Sequence, residues 1–442
     1  MRVVIAKSAL AVWRPTDNNP WDRAAAAHLL RRGGFGPEPL DLDRAVDEGL
    51  ERTLERLSEE PLELEDNLDG IYSLLGVGDI EHLQAWWMTL IIGGGTPLTE
   101  RTTLMWHNHF ATSNDKVQDV RLMHAQNGLL REAGLGDFRE LLRRMAKDPA
   151  MLIWLDGNAN RRGNPNENFA REVMELFALG IGSYSESDIQ EAARAFTGWG
   201  TNGRKFKFTT DHHDRASKQI FGKRGDFDGE QAIELVLEHP ACPTHVARRL
   251  LATFVAPGLS QEIVDEFAAV LIDCNWKIGA SIDVLLRSEL FFDRRFRRCR
   301  IAGPVEIIAA TKRALALKVS PKRLALTCDR AGQSLFRPPS VKGWDGGQNW
   351  INAGTWLARH NELASAVIEK NGSARFDLSS TFKGSRSGLG PAELVLDVLF
   401  PEGTSEAYAA TLRQVAEASK SENDALAQVT ALVLSSPEYH LV

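Results

Sequence analysis

Apolar side chains recur at helical spacing along most of this chain. The segments Trp21–Arg32, Asp41–Ser58, Ile80–Ile92, Glu100–Phe110 and Val117–Ala133 each carry such a stripe. Asp137–Lys147, Gly229–Glu238, Pro243–Phe254, Ser260–Asp273 and Ala280–Leu290 repeat it, and Pro243 suits a first helical turn. Strict two-residue alternation appears at Lys205-Phe206-Lys207-Phe208, the one convincing strand signal. Residues 391–438 read as two or three closing helices. The pattern predicts a mostly α fold: a large multi-helix assembly with long irregular loops and at most a minor β-hairpin. We read residues 18–440 as one helical domain with two lobes, 18–200 and 228–440, joined by a strand and loop at 201–227. Residues 372–390, rich in Ser and Gly, read as a flexible loop.

The densest local signals lie in NPNENFAREVMELFALGIGSYSESDIQEAARAFTGW, from Asn164 to Trp199. Asn166 is placed to cap a helix over Glu167–Leu179, with Phe169, Val173, Leu176 and Phe177 as its apolar stripe. Gly180 and Gly182 sit where a left-handed C-terminal cap is expected. Ser185 with Asp188 forms a capping-box pattern that opens the next helix. Glu172 and Glu175 are one turn apart on the first helix.

Composition adds bounds. Of 442 residues, 43% are hydrophobic and 25% charged, enough for an ordinary globular core. A net charge of −7 argues against nucleic acid as a main partner, because phosphate backbones reward basic surfaces. The run Asp293-Arg294-Arg295-Phe296-Arg297-Arg298-Cys299-Arg300 reads as a solvated helix face. Cys242, Cys274, Cys299 and Cys328 are too scattered for a local metal or redox pair, and read as reduced thiols. No stretch approaches a membrane span, and MRVVIAKSALAVWRP lacks a clean export signal, so a cytoplasmic location is expected.

Four groups of residues invite chemistry. The first is a metal or acid–base site built from His109, Glu172, Glu175, His213 and Asp214, a donor set that suits a divalent transition metal. His107 and His109 in WHNHF point opposite ways on a helix, so only one faces the glutamates, and His109 is the better placed. Glu172, Glu175 and Asp214 would then serve as proton carriers. The structural alternatives are a Glu175–Arg171 ion pair and a loop network of His213, Asp214 and Lys218. The second is DGNANRRGNPNE, where Asp156, Asn158, Asn160, Asn164 and Glu167 follow calcium-loop spacing. Arg161 stands there in place of the usual turn glycine, and a capping loop rich in Asn is the alternative. The third is the loop from Arg337 through Trp344 and Trp350, read either as a stacking platform or as aromatic core anchors. The fourth is Arg31-Arg32, placed to bind an anion or a carboxylate such as Glu172. Phosphate-loop, dinucleotide, HExxH and GxSxG signatures do not occur.

Several blocks together carry a family resemblance: AAAAHLLRRGGFGPEP, LQAWWMTLIIGGGTPLTERTTLMWHNHFATS, PNENFAREVMELFALGIGSY, AARAFTGW, HHDRASKQIFG and RPPSVKGWDGGQNWINAGTWLARHN. In this order they resemble the bacterial family known as domain of unknown function 1800. The resemblance implies a mostly helical bacterial protein, often exported and often encoded beside a sulfatase-like partner. It implies no activity and no catalytic residues. The residues themselves support two expectations: a metal-dependent, hydrolase-like enzyme, or a non-catalytic scaffold for the sulfatase-like partner.

Overall fold

Short polar side chains set the helix starts, as the sequence suggests. In the computed structural model, which describes residues 8–38, 40–59, 78–94, 96–367 and 388–442, Asp22, Asp79, Asp119, Asp137, Asp148 and Asn166 each accept from a first-turn amide. The Ser185–Asp188 capping box is formed, and Gly180 and Gly182 adopt φ +78° and +90°. Most of the loop expected at 372–390 lies outside the described residues.

Helices dominate, and among the described residues only two small antiparallel hairpins accompany them. Trp199–Asn202 pairs with the expected strand Lys205–Phe208. Lys218–Ile220 pairs with Lys223–Gly225, a hairpin too short for periodicity to reveal. Three helices close the chain: Pro391–Leu399, Glu406–Ala418 and Glu422–Ser435. Two helices differ from expectation in kind. Ile80–Thr89 and Glu167–Glu172 each continue as a π-helical turn, Leu90–Gly94 and Val173–Ala178. The basic run at 293–300 is no helix face. It is one 3₁₀ turn, Arg294–Phe296, followed by backbone that pairs Arg300 with Val442.

Two hydrophobic cores account for most of the buried apolar surface. One gathers Trp106, Phe138, Phe177, Phe254 and Phe267, and so draws on both sides of the 201–227 segment. The other gathers Trp87, Val305, Phe336, Val395 and Val433. The helix Pro97–His109 is shared between them. Its Leu98, Met105 and Trp106 enter the first core and its Leu104 the second. Glu100, Arg101, Thr102, Thr103, His107 and His109 of the same helix are therefore buried as well. A buried polar side chain must find a partner or lose stability. The partners of this helix locate the site.

Candidate functional site

Consecutive residues of WHNHF hold three separate segments in place. His107 Nε2 accepts the Phe336 N–H at 3.2 Å, and burial lowers the His107 pKa to about 3, so the ring is a neutral acceptor. Asn108 Oδ1 accepts the Trp344 N–H at 2.7 Å. His109 Nε2 lies 2.9 Å from the Phe177 carbonyl, and His245 Nε2 lies 2.9 Å from the Leu176 carbonyl. A carbonyl only accepts, so both rings donate there. They satisfy backbone oxygens freed where the π-helical turn ends.

Of the five residues expected to converge on a metal, four have other partners. His109 spends Nε2–H on Phe177, while burial, then Arg249 and His245, keep it far from protonation. Glu175 accepts from the Tyr184 hydroxyl at 2.6 Å. Arg171 binds Glu167 and Glu186, leaving the expected Glu175–Arg171 pair unmade. His213 Nδ1 donates to the Thr197 carbonyl at 2.9 Å, and Asp214 binds Arg194 at 2.7 Å. Lys218 reaches Asp226, not Asp214. Glu172 is half-buried; burial, then the charge of Glu175, raises its pKa to about 7. Among the described residues, no group of three or more His, Cys, Asp or Glu side chains is arranged to hold a metal ion.

The expected calcium loop closes on itself. Arg161 and Asn164 form an antiparallel bridge, Asp156 pairs with Lys116 at 2.8 Å, and Glu167 pairs with Arg171 at 3.2 Å. Asn158 accepts the Thr201 N–H. Asn160 ties the Ala193 carbonyl to the Asn166 N–H. These oxygens cap turns and cross-link the hairpin, which is local Asn chemistry. Arg337 pairs with Asp115 at 2.7 Å. Trp344 and Trp350 are only 6% and 8% exposed, so they are anchored aromatics whose edges line a cavity and not an open platform.

That cavity is where the polar helix leads. It has a volume of about 360 Å³, and Arg101, Arg249, Arg300, Glu306, Trp344 and Trp350 are among its walls. Glu306 starts the helix Pro304–Ala314 and accepts the Gly303 N–H at 2.7 Å. Its carboxylate receives both Arg300 Nη atoms, at 2.9 and 2.6 Å, and pairs with Arg101. Burial alone would raise the Glu306 pKa; the charges of Arg101 and Arg300 outweigh it and hold the group well below the carboxylate range.

Behind these pairs stand two more arginines, Arg32 and Arg359, both 0% exposed. Arg32 gives one nitrogen to the Phe296 and Val442 carbonyls, leaving Nε and Nη1 without a hydrogen-bond partner. All three guanidinium nitrogens of Arg359 lack one, as do Nε of Arg101, Arg249 and Arg300. Burial, then Arg300, pulls the Arg32 pKa down to about 9; burial pulls Arg359 and Arg249 down to about 10. A guanidinium resists deprotonation, so this pressure is a preference for an added anion. Arg31, by contrast, has its own carboxylate in Glu402, shared with Arg298.

None of Arg101, Arg300, Glu306 or Arg359 stands out in the sequence as a site residue. The readable signal is Gly303-Pro304-Val305-Glu306, a helix start with Pro at its first position and an acid at its third. It places Glu306 at a helix N-terminus and says nothing of the arginines that reach it.

The fold is that of a mostly helical protein with an arginine-lined cavity. The chain belongs to the family described as Protein of unknown function (DUF1800), whose model matches residues 28–441, so every residue of the cluster lies inside the matched region. Neither a curated protein nor a solved structure matches it. No helix among the described residues is long and apolar enough to cross a membrane.

Proposed function

We propose that the cavity between Arg101, Arg300, Trp344 and Trp350 binds a small molecule that carries a carboxylate or similar oxyanion on a planar or apolar body. One observation carries this reading: Arg101 and Arg300 hold Glu306 at the cavity wall, the buried Arg32 and Arg359 lie within reach of its charge, and several N–H groups of these arginines have no partner. Unpaired buried cations are costly, and an arriving anion relieves that cost. The guanidinium fork favours a carboxylate or phosphate through paired N–H donors. The tryptophan edges offer the apolar wall that ligand cavities generally have. A hydrolytic, metal-assisted reaction would require donors that here serve as backbone caps and ion pairs, so anion recognition is the reading with geometric support.

The test is calorimetric titration with benzoate and with uncharged benzamide at constant ionic strength, followed by tryptophan fluorescence. Benzoate gives saturable heat and quenching, benzamide gives neither, and Arg101→Gln abolishes the difference while circular dichroism stays native. If benzoate, phosphate and sulfate all fail to bind saturably, the reading is wrong.

A further inference from the structure

Cys299 lines the same cavity. It is the exposed cysteine of the four; Cys242 and Cys328 are buried and Cys274 is intermediate. Cys299 is a cavity wall alongside Arg300, and Arg32 Nη2 lies 3.5 Å from its sulfur. Its own hydrogen bonds are weak ones, to the Phe296 carbonyl at 3.2 Å and the Val255 carbonyl at 3.7 Å. A thiol alone is not a site. Here a second observation points to a ligand: Arg101, 3% exposed, lines the cavity, and its Nε has no hydrogen-bond partner.

We infer that Cys299 is a modification site that takes up anionic thiol reagents, above all carboxylate-bearing disulfides of low molecular mass. The inference rests on the anion-binding reading of the cavity and adds a covalent step to it. The carboxylate docks on the guanidinium cluster and brings the reagent's S–S bond to Cys299. The Cys299 sulfur, having lost its proton, attacks one sulfur of the reagent. A protein–reagent disulfide forms, the reagent's S–S bond breaks, and the departing thiolate takes up the proton. Cys299 is oxidised and the reagent's leaving half is reduced, so no further oxidant is needed. Modification would place a carboxylate permanently among the arginines and so occupy the cavity.

The experiment uses the full, unmutated chain. Dithiodiglycolate, which carries two carboxylates, is compared with neutral bis(2-hydroxyethyl) disulfide, and adducts are timed by peptide mass spectrometry. Cys274 serves as the internal reference for intrinsic reagent reactivity. The anionic reagent should be favoured at Cys299 over Cys274 by about tenfold or more, the scale on which a cleft of one charge enriches counter-ions. Benzoate should slow the reaction at Cys299 and leave Cys274 unchanged, which keeps the test independent of any variant's folding. Equal preference at the two cysteines, with benzoate still binding by calorimetry, overturns this inference and leaves the cavity reading standing. Equal preference with no benzoate binding overturns both.

Discussion

The side-chain amide of Asn108 brackets the backbone of Trp344: Oδ1 accepts its N–H at 2.7 Å and Nδ2 donates to its carbonyl at 3.4 Å. The helix Pro97–His109 thereby fixes one wall of the arginine-lined cavity. The approach is so close that Gly343 is required beside it. A Cβ there would sit 2.2 Å from Asn108 Oδ1 and 2.4 Å from the Asn108 carbonyl oxygen, at φ +83°.

Asn108→Ala should therefore cost about 1–3 kcal/mol, the usual penalty for leaving backbone groups without their partner. Gly343→Ala should cost at least as much, through the clash and the left-handed backbone together. Urea unfolding measures both, and limited proteolysis should cut near Trp344 in each variant before it cuts the parent. Unchanged midpoints would show that the loop is held elsewhere.

Glu306→Gln leaves Arg101 and Arg300 without their carboxylate. Removing one member of a buried ion pair typically costs about 3–5 kcal/mol. A structural ion pair predicts only that loss. The anion cluster predicts more: benzoate should raise the melting temperature of Glu306→Gln by a larger increment than that of the parent, because the ligand replaces a missing charge. Equal increments would argue that the carboxylate and the ligand do not share the same cations.

Glu172 gives a pH signature. Its folded pKa is raised from 4.5 to about 7, by burial first and by Glu175 second. The folded state therefore holds a proton that the unfolded state has released. Its contribution is fully present below about pH 4.5 and is lost as pH rises through about 7. Glu172→Gln should flatten the fall in stability over that window, as read from urea midpoints at a series of pH values. A parallel profile in the variant would place the titration on another group.

The buried histidines act in the opposite sense. Burial lowers the pKa of His107 to about 3 and that of His109 well below its ordinary value. The unfolded chain gains protons near pH 6.5 that these rings refuse when folded, so stability is lost as pH falls below that point. His107→Gln, which keeps a side-chain acceptor for the Phe336 N–H, should shrink the acid-side loss. An unaltered acid limb would exclude His107 as its source.

The local features of this protein were determined by its sequence alone. The Asn166 cap, the Ser185–Asp188 capping box, the Gly180 and Gly182 turns and the strand Lys205–Phe208 rest on residues within a few positions of one another. Short-range hydrogen bonding and periodicity are enough to specify them. The mostly α class follows from the same periodicity summed over many segments. Which polar side chains face each other was decided only by the tertiary structure. Glu306 meets Arg101 across 205 positions and Arg300 across only six, yet both pairs depend on where the shared helix Pro97–His109 is buried. The basic run at 293–300 shows the same limit. Arg298 turns inward to Glu402 and Arg300 to Glu306, because buried carboxylates lie there, while Arg294 and Arg295 stay in solvent. Charge attracts through space, with strength set by burial, and neither distance nor burial is written in the order of residues.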